Sequence, residues 1–256
     1  MSAHLQRVGL AGDPASPIHR LDPRAKLAGF AGITVVAVST PLRAWPAFVA
    51  CALVLAAIAS VARVGPRTVW VRARVILPLV VLVAAFVPFV RSGPAVAVGP
   101  LSLSEAGLAT FALVAAKATI GTVSAVLLAA TTSFPDVLHA LERLRAPRLL
   151  VVIAAFMYRY VFVIADEARR MRAALAARAY RPRHLGQVAT LGRMVTALFL
   201  RSYERGERVY LAMLARGYGG TMPRLARLAF GRADVAFVSA LVVVLVPVRV
   251  IAELAA

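Results

Sequence analysis

The chain is 256 residues long and 61% hydrophobic, with 30 Lys and Arg against 11 Asp and Glu. So apolar a composition departs from that of soluble domains, which place about half their residues in the apolar class, and points to the membrane. The basic residues are interspersed between apolar runs and form no tail or stripe, which argues against a nucleic-acid footprint and for arginines flanking membrane spans.

The N-terminal 25 residues are polar and do not read as a cleaved signal peptide. About 20 apolar residues cross the hydrocarbon core of a bilayer, and four candidate spans follow at 26–41, 44–62, 75–91 and 106–131. The first is preceded by Arg20, Arg24 and Lys26, and the 63–74 connection carries Arg63, Arg67, Arg72 and Arg74 without an acid. The 92–104 connection has no charge, so the positive-inside bias puts the N-terminus and the 63–74 loop in the cytoplasm. Four crossings return the chain to that side near residue 132.

An apolar stretch at 149–165, with Arg159 in its middle, is followed by residues 166–233, which hold fourteen arginines and four acids. A single crossing at 149–165 would carry that basic block outside. The stretch therefore reads as the apolar half of a long helix, 148–180, that does not span. Residues 132–233 become a cytoplasmic-side helical module. Ser133 opens it as a cap, with Val137, Leu138, Leu141 and Leu144 on one face. Pro147 interrupts, and Pro182 ends the long helix. A further helix over 186–216 stops at Gly217, placed for a left-handed cap. A last span, 235–252, crosses outward and leaves a short tail. The expected fold is an all-α integral membrane protein of about five transmembrane helices plus long cytoplasmic-side helices. Its parts are the segment 1–25, the four-helix bundle 26–131, the module 132–233 and the last helix with its tail, 234–256.

Both long helices of the module end alike. Ala215-Arg216-Gly217 is followed by Tyr218, and Ala177-Arg178-Ala179 by Tyr180. Small flanking residues let another backbone approach while the guanidinium offers a planar fork of donors to a carboxylate or to carbonyls. Taken singly, each arginine also reads as a cation favoured at a helix C-terminus.

These paired sites resemble the signature of the T component of energy-coupling factor (ECF) ABC transporters. Three longer stretches are similar to its cobalt-type CbiQ members: "LDPRAKLAGF", "SFPDVLHALERLRAPRLLVVIAAFMYRYVFVIADEARRM" and "RSYERGERVYLAMLARGYGG". The resemblance implies a non-catalytic coupling subunit of a prokaryotic cell-membrane importer, most simply for cobalt, with nickel or a vitamin as the alternative cargo. The implied partners are a CbiO-like ABC-type ATPase dimer, a CbiM-like substrate-capture membrane subunit and a small CbiN-like subunit. In that scheme Arg178 and Arg216 dock in the ATPases, and Ala177, Ala179, Ala215 and Gly217 are their close-packing flanks. Ala179 stands where the family often has Gly.

The chain has no phosphate-binding Gly-x-x-x-x-Gly-Lys-Ser/Thr loop, so no cofactor is expected and ATP would be held by the partners. Cys51 is alone, and His4, His19, His139 and His184 lack metal-ligand spacing, so no metal site is expected either. Lys117, in the middle of the fourth span, reads as interior packing or snorkelling, with a place in a transport path as the alternative. Arg159 reads as networked with Asp166 and Glu167. Glu204, Arg205, Glu207 and Arg208 read as a solvated face. A stand-alone secondary transporter would predict internal repeats, and a membrane enzyme would need clustered acids or histidines. The sequence shows neither.

Overall fold

The computed structural model of the protein describes residues 16–41, 44–74, 78, 95–98, 101–178, 180, 188–220 and 230–254. Their helices are α1 (Pro17–Arg20), α2 (Pro23–Ser39), α3 (Trp45–Val61), α4 (Pro66–Ala73), α5 (Glu105–Thr131), α6 (Phe134–Arg143), α7 (Arg148–Ala177), α8 (Val188–Ala215) and α9 (Arg232–Leu254). The uncharged connection before α5 adds an antiparallel hairpin, β1 (Ala95–Val98) with β2 (Leu101–Ser104), to an otherwise all-α membrane protein. The predicted span at 75–91 lies, apart from residue 78, outside the described residues.

The other predicted elements are found with small shifts at their ends. α2 starts three residues earlier than the apolar pattern suggests because Asp22 caps it, accepting the Arg24 N–H at 2.8 Å, and Pro23 takes the first-turn position that needs no donor. Ser133 caps α6 as expected, accepting the Asp136 N–H at 3.4 Å. Residues 109–131, 148–177 and 232–253 are long and apolar enough to cross a membrane, by length and composition. The shorter α3 is apolar as well.

The chain divides into two compact units, Met1–Leu144 with Leu228–Ala256, and Arg145–Arg227. In the first, α2 lies at the centre and packs against α3, α5, α6 and α9. Phe30, Ile33, Ala37, Cys51, Leu55, Ile120 and Leu127 are buried together there. Small and hydroxylated residues let these helices come close, as in membrane bundles generally. The Ser124 hydroxyl donates to the Phe30 carbonyl at 3.0 Å, and a Cβ built on Gly29 would stand 2.6 Å from Leu241 Cδ1.

Polar contacts fix the helix directions. Lys26 is 2% exposed, and its ammonium donates to the Thr131 carbonyl at 2.9 Å and to the His19 carbonyl at 3.2 Å. At the other end of α2, the Lys117 ammonium donates to the Val38 carbonyl at 2.6 Å. α5 therefore runs antiparallel to α2. Asp234, in the first turn of α9, accepts the Asp22 N–H on Oδ1 at 2.6 Å and the Gly231 N–H on Oδ2 at 2.7 Å. One carboxylate thus serves the N-termini of α2 and α9, which run parallel, with Gly29 facing Leu241 and Gly32 facing Leu245. The start of α2, the end of α5 and the start of α9 share one face of the unit.

Candidate functional site

In the second unit α7 and α8 are long helices with charges on one face and large apolar residues exposed on others. Leu149, Met157, Phe199 and Tyr203 are among the exposed side chains. At such size and number these are contact surfaces for lipid or protein. The sequence-derived motif residues stand at the C-terminal ends of these two helices.

α8 ends in a complete Schellman arrangement. Gly217 sits at φ +77°, its N–H donates to the Leu214 carbonyl at 2.9 Å, and the Tyr218 N–H reaches back to the Met213 carbonyl at 3.0 Å. α7 closes with the equivalent long bond: the Tyr180 N–H donates to the Leu175 carbonyl at 3.1 Å. In both helices the capping residue is the arginine, one residue past the last helical alanine. The tyrosine two residues further satisfies the carbonyl three residues before the arginine. Arg178 and Arg216 are both exposed, as are Ala177, Ala215 and Gly217. Ala179 lies outside the described residues. A guanidinium at this position meets the negative end of the helix dipole while its donor fork stays available to a partner.

The crossing between α7 and α8 is polar at one point. Glu167 accepts from Arg170 of its own helix at 2.7 Å and from Arg201 of α8 at 2.6 Å. Asp166 pairs with Arg169. The network expected between Arg159 and these two acids is not formed: seven helical residues span about 10 Å, and nearer arginines on the following turn, with Arg201 across the crossing, take both carboxylates. Arg208 lies 3.7 Å from Glu204 on an exposed face of α8.

Beside the Glu167–Arg201 pair, Phe156, Tyr160 and Ile164 of α7 and Val209 and Met213 of α8 wall a cavity of about 210 Å³. Lys117 lies in the other unit, where its ammonium donates to the Val38 carbonyl at the end of α2. Sequence reasoning missed the Glu167–Arg201 link, the buried Lys26 and the double role of Asp234. Only Asp234 left a local signal, an acid three residues after Gly231 at the start of an apolar run.

Comparison with known proteins adds independent information. A model of the CbiQ family, described as cobalt transport protein, matches residues 14–225. A putative fused cobalt transport protein CbiMQ of Methanocorpusculum labreanum is 25% identical over 215 residues, 81% of this chain and 36% of the relative. A putative ABC transporter ATP-binding protein of Bifidobacterium longum is 32% identical over 222 residues, 81% of this chain and 28% of the relative. Cobalt transport protein CbiQ of Rhodobacter capsulatus is 32% identical over 139 residues, 52% of this chain and 57% of the relative. The chain thus spans from about a quarter to just over half the length of these curated relatives.

Proposed function

The chain belongs to the CbiQ family of cobalt transport proteins, and from that membership we propose that it is the membrane-embedded coupling (T) subunit of an ECF-type importer for cobalt ions. It transmits the motion of cytoplasmic ABC-type ATPases to a membrane subunit that captures the metal. ATP is bound by those partners, and the capture subunit chooses the ion. The observation that carries the reading is the matched termination of α7 and α8, each closed by a tyrosine N–H and each presenting an exposed arginine between small residues. Two like ends suit two like ATPase chains.

The membrane arrangement of the first unit supports a cytoplasmic-side module over 132–233. The end of α5 and the start of α9 share one face, so an even number of crossings lies between them. α8 carries Arg193, Arg201, Glu204, Arg205, Glu207 and Arg208, too many charges for a second crossing to balance one by α7. In this reading α7 lies at the cytoplasmic interface of the cell membrane, and the N-terminus is cytoplasmic.

The names of two relatives, a CbiMQ fusion and an ABC transporter ATP-binding protein, support a CbiM-like membrane partner and an ATPase partner. A CbiN-like subunit completes the proposed complex. Replacing Arg178 and Arg216 together by Glu is expected to abolish recovery of the ATPases with the tagged protein in mild detergent and to abolish metal uptake. Wild-type ATPase recovery by the double variant would remove the docking assignment.

A further inference from the structure

We propose that Glu167 and Arg201 form an ionic pivot that fixes the angle at which α7 and α8 cross, and so act as positioning residues for the two arginine-bearing ends. The functional half of this inference rests on the coupling role proposed above, whereas its geometric half concerns this chain alone.

Three observations carry it. The Glu167 carboxylate is divided between the helices, Oε2 taking Arg170 and Oε1 taking Arg201. Arg170 thereby orients the carboxylate toward α8, and among the described residues this is the one ion pair that joins the two helices. The Glu167 side chain is 18% exposed, so the shared acid is sheltered although both arginines reach solvent.

The second observation is the cavity beside the pair. Helix crossing angles are normally set by side chains of one helix filling the grooves of the other. Here Gly206 offers no side chain, and the space between Phe156 and Met213 is left open over about 210 Å³. On that side the groove between the helices is not filled, so the directional bond carries more of the angle. An ion pair whose arginines reach solvent adds little to stability, so its consequence is geometric.

The third is leverage. Arg178 stands eleven residues beyond Glu167, and Arg216 fifteen residues beyond Arg201, which at helical rise gives arms of about 16 Å and about 22 Å. The cavity is walled by the 156–167 arm of α7 and the 201–213 arm of α8. Arg216 therefore lies on the cavity side of the crossing and Arg178 on the other. A turn of about 10°, within the scatter that packed helices show, displaces the two ends by about 3 Å and about 4 Å. Displacements of that size decide whether both arginines meet their partners at once.

The test places spin labels on the full chain through Ala174→Cys and Leu211→Cys, both exposed positions, with the buried Cys51 left in place. Label distances are measured in lipid nanodiscs on the chain without partners, for the wild type, Glu167→Arg, Arg201→Glu, the double exchange and the mild variant Glu167→Gln. Metal uptake per ATP hydrolysed is then measured in the reconstituted complex. Each single reversal is expected to shift or broaden the label distance by about 1–2 Å, the change that a turn of about 10° gives at arms of about 10 Å and about 15 Å, and to lower uptake per ATP. Glu167→Gln should do both more weakly, and the double exchange should return both toward wild type. Unchanged distances in both reversals, or a double exchange no nearer to wild type than either single, would overturn the pivot. Distances that respond while uptake per ATP stays at wild type would overturn the positioning role. A wild-type complex that moves no metal would count against the coupling reading alone, because the distances are read without partners.

Discussion

At Gly217 the backbone has φ +77°, yet a Cβ there would meet no atom within 4 Å. The demand for glycine is therefore conformational and not steric. A β-branched residue resists the left-handed region, whereas Asn enters it readily. Gly217→Val is expected to cost about 1–2 kcal/mol locally, to open the last turn of α8 and to reduce ATPase recovery, while Gly217→Asn keeps most of both. Amide hydrogen exchange over residues 211–218, read beside copurification, separates the two outcomes. This cap was legible in the sequence, as was Ser133, because each depends on a few consecutive residues. Lys26 was not. It reads as one more flanking cation, yet it is buried between the His19 and Thr131 carbonyls, and the second of these lies 105 residues away.

Between elements, α2 and α9 approach closely at Gly29. Gly29 admits Leu241 and Phe237, whose nearest atoms would stand 2.6 Å and 3.0 Å from a Cβ at that site. Gly29→Ala asks the Leu241 methyl to rotate aside and should be tolerated. Gly29→Ile cannot be accommodated that way and is expected to destabilise the bundle by about 1–3 kcal/mol, read as a lower melting temperature in detergent by size-exclusion assay. The hydrophobic pattern revealed that α2 and α9 exist, but not that they touch. Both are apolar on most faces, so periodicity offers no contact side to choose. The link between α7 and α8 was hidden for another reason: Glu167 reads as a local partner of Arg159, and no local pattern pairs it with Arg201, 34 residues on.

For the whole molecule, the sequence offers a parity argument, in which charge counts lead to the expectation that residues 132–233 lie on one side. Within the first unit, the starts of α2 and α9 and the end of α5 share one face. Asp234 holds that face together with one oxygen for each helix start. Asp234→Ala leaves the buried Asp22 N–H without its acceptor, at about 1–3 kcal/mol, whereas the Gly231 N–H, at an exposed residue, can turn to water. Asp234→Asn, with one carbonyl oxygen, should recover part of the loss. Thermal stability in detergent is expected to rank wild type above Asn and Asn above Ala, and equal stability of all three would remove Asp234 from this role.

The Asp22–Asp234 bond also sets an order in time. Its two residues are 212 positions apart, and at about 5–20 residues per second a ribosome takes about 10–40 s to travel between them. For that interval the nascent protein carries α2 with the N–H that opens it still waiting for the Asp234 carboxylate. α9 is thus the piece that closes the opening end of α2, and a chain released before α9 is made is marked as unfinished at a helix synthesised long before.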